Sequence, residues 1–351
     1  MNIMLLNDTG NVGHIGCQGV SDAHARLLGR QGHAITHRFF NGELARLGDH
    51  DAKSGVARVL GDAQLQEAFE AIDAVVVNGE GTIHHGAGTE YLNILGAALE
   101  IGKPTLLVNC VLEAVEGFDH ILSRIDDIVV RDARSKQYLR SKGVSARLVF
   151  DSFIEAGFED APIVDMNDRV VVTDWHSQRD HDVGTKSLQF LRSKDSSTCW
   201  FLPFMCRDTA EAWARIPATI RSARAVVTGR HHGVYAAALA GVPFVAFSSN
   251  TYKVDGFMDE FPELAFCLNP ASIKNAVAEA VDRREMFAAI QERLVSARPL
   301  STFEALDGAF DPLGEKRELA RLAVDCSTRR AALGFDLAYR IQRRSLEVCS
   351  G

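Results

Sequence analysis

The first half of the chain alternates short apolar runs with segments of helical periodicity. The apolar runs are rich in β-branched residues and end in glycine or polar turns, which is typical of buried parallel strands. The predicted strands are Met1–Leu6, Ala74–Asn78, PTLLVNC at 104–110, Ile125–Val130 and ARLVFD at 146–151. The predicted helices between them are Gly16–Arg30, Gln64–Ala71, Tyr91–Ile101 and residues 131–144. This order indicates an α/β fold built from βαβ units.

The alternation pauses and then restarts. Residues 153–169 are acidic, polar and weakly periodic, which indicates a domain boundary. Beyond them the predicted strands are 170–175, 199–204, 225–229 and 244–249, and the predicted helices are 185–193, 208–216, 233–240 and 271–297. We therefore expect two Rossmann-like domains facing across a cleft, an architecture of the glycosyltransferase-B type. The expected division is an N-terminal domain at 1–160, a C-terminal domain at 168–300, and a helical tail at 301–351 that crosses back onto the first domain.

Composition narrows the function classes. The net charge of −8 argues against a nucleic-acid partner, which usually meets a basic face. No apolar run reaches the ~18 residues that a membrane span requires, and we expect no signal peptide at the N-terminus. The 7 cysteines are odd in number and scattered without a CxxC pair, which fits a reducing compartment and gives neither a disulfide framework nor a zinc site. We expect a cytoplasmic protein.

The stretch TGRHHGVYAAALAGVP at 228–243 carries the clearest chemistry. The predicted strand ends at Gly229, the turn is RHHG, and an alanine-rich helix follows. Arg230 and His232 thus lie at the carboxyl end of a parallel strand, where open α/β sheets bind ligands. The helix N-terminus favours an anion, an arginine fork suits a carboxylate or phosphate, and histidines donate hydrogen bonds or protons. The alternative is an arginine that only caps a turn; we interpret the stretch as an anion site.

This stretch resembles the late motif of the polysaccharide pyruvyl transferases. That motif is an arginine, one variable residue and His-Gly, followed by a small-residue helix and Gly-x-Pro. The matching positions are Arg230, His231 (the variable position), His232, Gly233 and residues 241–243, with Lys253 for a family lysine. Further matches are Arg131, Asp132 and Ser135 of a middle motif, an aspartate at Asp151, and the turn NGEG at 78–81, where Glu80 replaces a glycine. The resemblance covers roughly residues 1–260.

The resemblance implies transfer of a pyruvyl group from phosphoenolpyruvate to two hydroxyls of a sugar, which forms a cyclic ketal. The acceptor would be a sugar or a lipid-linked saccharide. Phosphoenolpyruvate would be a co-substrate, with no cofactor and no metal. By the resemblance, the donor is held by Arg230, His231, His232, Gly233 and Lys253, and His232 also acts in catalysis. Such chemistry needs a positioned general acid and general base.

Further candidates lie in loops of both domains. In NGEGTIHHG, the side chains of Glu80, His84 and His85 follow a buried strand and are catalytic candidates. The alternatives for them are a helix-capping carboxylate and two surface histidines. The candidates for acceptor binding are Asn11, His14, Asn78, Glu80, Asp174 and His176. For Asp174 and His176 the alternative is ordinary loop polarity.

Two motifs keep more than one interpretation. Relatives tend to carry Asn-x-Gly-Asp near the start, whereas this chain has GNVGHIG at 10–16, with His14 where the acid is expected. That stretch lacks the spacing and the later acidic residue of a dinucleotide site, so we expect a cleft loop at 11–14 that contacts the acceptor, with the role of His14 open. In the middle motif, Asp132 could simply begin a helix near its positive end.

Other functions remain open. A nucleotide-sugar-dependent glycosyltransferase of the same architecture would bind a phosphate at the same helix. A non-catalytic binding protein would keep only the fold, although the joint presence of Arg230, His232 and Lys253 argues against it. The tail either makes weak peripheral contact with an anionic membrane or forms a solvated helix face, through Arg329, Arg330, Arg340, Arg343 and Arg344. The oligomeric state is not predicted.

Overall fold

The computed structural model describes residues 1–81, 83–175, 190, 198–205, 212–297 and 302–306. Within these ranges the chain forms two separate parallel sheets with helices packed against them. The expected α/β architecture is confirmed. His176, almost all of the predicted helix at 185–193, and the tail beyond residue 306 lie outside the described residues.

The N-terminal sheet has six strands in the order β2-β1-β3-β4-β5-β6. Its strands are β1 (Asn2–Asp8), β2 (Ala34–Phe40), β3 (Ala74–Asn78), β4 (Thr105–Cys110), β5 (Asp127–Val130) and β6 (Arg147–Leu148). Its helices are α1 (Ile15–Arg30), α2 (Ala52–Leu60), α3 (Ala63–Ala71), α4 (Thr89–Glu100), α5 (Asp119–Leu122) and α6 (Ala133–Ser141). Strands β3, β4 and β5 are buried along their whole length, because a parallel sheet is covered on both faces.

The C-terminal sheet has four described strands in the order β10-β9-β7-β8. They are β7 (Val170–Trp175), β8 (Cys199–Phe201), β9 (Ala225–Gly229) and β10 (Phe244–Ala246). The described helices are α7 (Ala212–Ile220), α8 (His231–Ala240), α9 (Lys253–Glu260), α10 (Ile273–Asp282) and α11 (Arg284–Ala297). None of the helices in the described ranges is long and apolar enough to cross a membrane.

Helix α1 joins the two sheets. It follows β1 in the chain, yet its residues Ile15 and Val20 belong to the apolar core that covers the C-terminal sheet, together with Phe153 of the 3-10 segment Ser152–Glu155. The backbone N–H of Ile15 also donates to the carbonyl of Phe204 at 2.8 Å. The start of α1 is therefore held by residues of the other domain.

The chain returns to the first sheet after α11. Residues Phe303 and Leu306 are buried in one cluster with Ile3 of β1 and Val76 of β3. Arg147 of β6 supports this contact, because its guanidinium donates to the carbonyl of Thr302 at 3.3 Å. Residues 302–306 thus lie on the N-terminal sheet.

Candidate active site

A cavity of about 190 Å³ lies between the carboxyl ends of the two sheets. Its walls come mainly from the segments that follow β1, β3, β5, β9 and β10, which is the edge where open parallel sheets bind ligands. The lining residues are Val12, His14, Cys17, Glu80, Gly81, Arg131, Met205, Arg230, His231, His232, Ser249, Asn250 and Lys253. We treat this cavity as the candidate active site.

Helix α8 presents its N-terminus to the cavity. The helix begins at His231, two residues earlier than predicted, because Arg230 has extended backbone and takes the N-cap position. The Arg230 side chain makes no capping hydrogen bond, so the positive end of the helix stays open to an anion. A Cβ on Gly233 would lie 2.2 Å from Thr228 Oγ1, so glycine is needed for the helix to start this close to β9. Gly233 therefore contributes close packing of its backbone.

The fork of Arg230 is already occupied. Its Nε and Nη2 donate to one carboxylate oxygen of Asp174 at 2.9 and 2.5 Å, and both side chains are largely buried. The other oxygen of Asp174 accepts the backbone N–H of Phe204 at 2.7 Å. Asp174 thus orients Arg230 and is not among the residues that line the cavity; the acceptor-binding role predicted for it stays a prediction. Since Nε and Nη2 are paired with Asp174, Nη1 is the main hydrogen-bond donor that Arg230 can offer to a ligand.

Glu80 is fixed by the strand ends around it. Its Oε2 accepts the hydroxyl of Thr9 at 2.7 Å and the amide of Asn78 at 3.4 Å, and its backbone N–H donates to the Asn78 side chain at 3.2 Å. The carboxylate does not cap a helix, since α4 begins later, after Gly88. Asn78 is fully buried and acts as a support for Glu80, whereas Glu80 itself lines the cavity.

His232 lies between two carboxylates. Its Nε2 is 3.4 Å from Glu80 Oε1 and 3.6 Å from Asp151 Oδ2, although neither contact has the geometry of a normal hydrogen bond. Glu80 belongs to the N-terminal sheet and His232 to the C-terminal one, so the pair forms only when the domains meet. The Nε2 atom of His232 therefore faces one carboxylate oxygen of Glu80 and one of Asp151.

Asp151 accepts hydrogen bonds from several buried groups at the bottom of the site. Its fully buried carboxylate accepts hydrogen bonds from Arg131 Nη1, from His231 Nε2 at 3.1 Å and from the backbone of Phe153 at 2.8 Å. Burial alone would raise the pKa of Asp151, but the charges of Arg131 and His232 and the histidine hydrogen bonds hold it well below its usual value. Burial, and then the charge of Arg131, lowers the pKa of His231 to about 3. Asp151 is therefore an ionised carboxylate, and His231 is a neutral imidazole.

His14 is the N-cap of α1. Its Nδ1 accepts the backbone N–H groups of Gly16 at 3.1 Å and Cys17 at 3.3 Å. Burial, and then the neighbouring charges of His232, Arg230 and Lys253, lowers the pKa of His14 well below its usual value. The ring is therefore neutral.

Two further lining residues have altered acidity. Burial, and then the charge of Arg131, lowers the pKa of Lys253 to about 8. Burial and the neighbouring Glu80 raise the pKa of the Cys17 thiol well above its usual value, so Cys17 stays protonated at neutral pH. Lys253 is the first residue of α9, a helix that the sequence did not predict.

Two groups of side chains could hold a metal ion by spacing alone. In the described residues, each group has ligand atoms within 4.8 Å of one another: His14, Cys17 and His232, and Asp151, His231 and His232. Their surroundings disfavour a cation, because Arg131, Arg230 and Lys253 line the same cavity. The donor set suits an anion better than a metal ion.

The predicted site residues divide into two sets. The cavity is lined by His14, Glu80, Arg230, His231, His232 and Lys253. Asn11 is exposed and does not line it. The loop histidines His84 and His85 also lie outside the lining: they contact each other at 3.2 Å, and His85 faces Glu113 at 3.6 Å. His84 and His85 therefore do not line the cavity, although Glu80 and Gly81 of the same loop do. His176 lies outside the described residues.

Sequence reasoning missed several lining residues. In the sequence, Arg131 matches only the middle motif. In the structure its side chain reaches the cavity, and its buried Nε has no hydrogen-bond partner. Its neighbour Asp132 has the structural role considered for it, because it caps α6 by accepting the N–H of Ser135 at 2.8 Å. Cys17, Ser249 and Asn250 gave no motif signal.

Residues 32–251 match the family model of the polysaccharide pyruvyl transferases. No similar sequence is found among curated proteins. Among solved structures, a Listeria monocytogenes protein provisionally named UDP-N-acetylglucosamine 2-epimerase is 13% identical, with 83% of this chain and 90% of that chain covered and a TM-score of 0.54. The glycotransferase of kitacinnamycin is 12% identical, with 87% and 97% covered and a TM-score of 0.50. Both likenesses concern the fold, and they agree with the expected glycosyltransferase-B type of architecture.

Proposed function

The chain belongs to the polysaccharide pyruvyl transferase family, and on this premise we propose that it transfers the pyruvyl group of phosphoenolpyruvate to two hydroxyls of one sugar, forming a cyclic ketal. The acceptor is a sugar of a cell-surface polysaccharide or of its lipid-linked precursor, reached from the cytoplasm. The observation that carries the proposal is the cavity at the start of α8, where Arg131, Arg230 and Lys253 surround two buried histidines.

Charge and size both favour this donor. Phosphoenolpyruvate carries a carboxylate and a phosphate, and guanidinium and ammonium groups bind such oxyanions strongly. Arg230 Nη1 and the unpaired Nε of Arg131 retain hydrogen-bonding capacity for it. The cavity of about 190 Å³ is smaller than the ~300–1,000 Å³ typical of sites for drug-sized ligands, which favours a small anion over a whole nucleotide sugar.

The reaction relocates two protons. In the first step C3 of the donor gains a proton and becomes a methyl group, while a sugar oxygen bonds to C2 and its hydroxyl loses a proton. In the second step the bond from C2 to the phosphate oxygen breaks, the second sugar oxygen bonds to C2, and the second hydroxyl proton leaves with phosphate. The first step therefore needs an acid near C3 and a base near the attacking hydroxyl.

The buried histidines supply both groups. We assign the acid to His232, whose Nε2 lies 3.4 Å from Glu80 Oε1 and 3.6 Å from Asp151 Oδ2. His231 is the base. Its Nε2–H donates a hydrogen bond to Asp151, and its Nδ1 is buried without a hydrogen-bond partner. Burial, and then the charge of Arg131, lowers the basicity of His231, and a bound anionic donor would offset the second of these two effects.

Thermal melting with defined ligands tests the donor. A ligand that binds only the folded state raises its stability, by about 2.7 kcal/mol at a hundredfold excess over Kd. We expect phosphoenolpyruvate to raise the melting temperature, and UDP-glucose, UDP-galactose and GDP-mannose to leave it unchanged. A protein that responds to a nucleotide sugar and ignores phosphoenolpyruvate is a glycosyltransferase instead.

A further inference from the structure

His14 has a structural duty that decides which of its nitrogens carries the proton. Its Nδ1 accepts two backbone N–H groups at the start of α1, from Gly16 and Cys17. A ring nitrogen that accepts hydrogen bonds carries no proton, so in a neutral imidazole the proton is on Nε2. The lowered pKa of His14 agrees with this assignment, since both burial and the nearby cations oppose a second proton.

The Nε2–H of His14 has no hydrogen-bond partner among the residues that the structure describes. The ring is only 7% exposed, it lines the cavity with Arg230 and Lys253, and the hydrogen bonds of His14 within the described chain all involve Nδ1 or the backbone. An unpartnered N–H on the wall of this cavity is available to a ligand atom that accepts a hydrogen bond. Carboxylate and phosphate oxygens can only accept, and they are the groups that the surrounding cations attract.

We infer that His14 is a donor-side residue: its Nε2–H donates a hydrogen bond to an anionic oxygen of the bound donor, on its carboxylate or its phosphate. The identity of the donor rests on the proposed function. The inference replaces the acceptor-side role expected for the loop at 11–14. An acidic residue at this position would repel an anion, whereas the N–H of a neutral histidine can donate to it.

The neutrality of His14 has a physical advantage. Another positive charge beside Arg230 and Lys253 would be repelled by both, whereas a neutral N–H adds a hydrogen bond without that penalty. His14 also begins α1, which follows the N-terminal sheet, while Arg230 and Lys253 belong to the C-terminal domain. A donor bound by all three would hold the two domains together.

Substitutions can separate the two nitrogens of His14. His14→Asn places an oxygen near the position of Nδ1 and keeps the cap, since asparagine is among the best N-cap residues, but it removes the Nε2–H. His14→Gln places an amide N–H near the position of Nε2 and loses the cap. His14→Ala loses both functions, and His14→Asp keeps the cap while adding a negative charge. For each variant, phosphoenolpyruvate affinity is measured by calorimetric titration without acceptor, and stability by thermal melting.

The inference predicts that stability and affinity separate. His14→Asn should melt like the parent but bind phosphoenolpyruvate roughly ten- to a hundredfold more weakly. His14→Gln should melt lower yet bind more tightly than His14→Ala, and His14→Asp should bind most weakly. Unchanged affinity in His14→Asn overturns the inference, as does an affinity that follows the melting temperature across the series.

Smaller anions identify the contacted oxygen. Titrations of the parent and His14→Asn with inorganic phosphate and with pyruvate show which anion loses affinity, and that anion carries the accepting oxygen. A parent that does not bind phosphoenolpyruvate refutes the proposed function; the phosphate and pyruvate titrations then decide the inference by themselves, and affinities for both anions that are equal in the parent and His14→Asn overturn it.

Discussion

Gly16 and His232 are in contact so close that no side chain fits between them: a Cβ built on Gly16 would lie 2.1 Å from the imidazole. Gly16 is in the first turn of α1 and His232 in the first turn of α8, so the contact joins the two domains. The nearest atoms of His232 include its own Cβ at 2.3 Å, which a rotamer change cannot move far. The position of the proposed acid is thus set by a glycine of the other domain.

Gly16→Ala should therefore displace His232. Overpacking of this kind costs about 1–3 kcal/mol, which should appear as a lower free energy of unfolding. Displacing a catalytic group by ~1 Å can cost about a hundredfold in rate, so turnover should fall by roughly that factor. Phosphate release from phosphoenolpyruvate in the presence of an accepted sugar measures the rate.

Gly29→Ala is the matched control. Gly29 is in the same helix, and a Cβ there would meet nothing within 4 Å. Alanine is the better helix former, so this variant should be as stable as the parent or more so, with unchanged turnover. If Gly16→Ala behaves like Gly29→Ala, then the close contact does not control the site.

The pair Arg230 and Asp174 separates a structural from a ligand-binding effect. Arg230→Ala removes the partner of a largely buried carboxylate, which should lower stability by about 1–3 kcal/mol. It should also weaken phosphoenolpyruvate binding by about 2–5 kcal/mol, the usual cost of truncating a charged partner in a desolvated site. Adding Asp174→Asn to this variant should restore most of the stability and little of the affinity. Recovery of affinity together with stability would mean that Arg230 is only structural.

Arg230→Lys tests the geometry of the same pair. Lysine keeps the charge but cannot donate to Asp174 through Nε and Nη2 while reaching the cavity with Nη1. We expect a folded protein with phosphoenolpyruvate affinity between those of the parent and Arg230→Ala. Calorimetric titration gives the order directly.

Donor affinity should depend on the protonation of Lys253. The free protein loses the Lys253 proton as the pH rises through about 8, and the cationic form is the one that attracts the donor. The Kd of phosphoenolpyruvate should therefore be flat below pH 8 and rise above it, by at most about tenfold per pH unit. Lys253→Arg stays charged throughout, so its Kd should not rise in this range. A parent and a variant with the same pH profile would contradict the assignment.

Asp132 and Ser135 should prove structural, although they match the family motif. Asp132 caps α6 and also accepts the hydroxyl of Ser135 at 2.7 Å. Loss of an N-cap costs about 0.5–2 kcal/mol, so Asp132→Ala should lower the unfolding free energy by that amount. Phosphoenolpyruvate affinity, measured below the melting transition, should match that of the parent. A folded variant with tenfold weaker affinity would place Asp132 in the site.

Activity should survive a strong chelator. The cations that would neutralise the donor are the side chains of Arg131, Arg230 and Lys253, which line the cavity. The proposed steps are proton transfers and need no Lewis acid. Turnover is compared before and after treatment with EDTA and desalting. Loss of activity that one specific divalent ion restores would count against this chemistry and favour a metal-assisted glycosyl transfer.

The repeated strands and helices were predictable because they bury apolar faces with a clear period. β3, β4 and β9 are continuous apolar runs, and the sequence predicts them with nearly correct ends. β2 was not predicted, because it is an edge strand in which the polar residues Thr36, His37 and Arg38 interrupt the apolar ones. Pattern reasoning thus finds apolar strands and overlooks this polar edge strand.

The strand end and the helix start at the RHHG turn were predictable, because both are local signals in the sequence. The contacts of Arg230 were not. The partner of Arg230 is Asp174, 56 residues earlier in the chain, and only the folded sheet brings the two together. The capping role of His14 had no signal either, because histidine is not among the usual N-cap residues.

The match to the family begins at residue 32, whereas Val12, His14 and Cys17 of the cavity wall precede it. Arg131, Arg230 and His232 lie inside the matched stretch. Substitutions at positions 12, 14 and 17 would therefore change the cavity wall without altering the matched stretch. Such substitutions have to keep the glycine at position 16, because a Cβ there would lie 2.1 Å from the imidazole of His232.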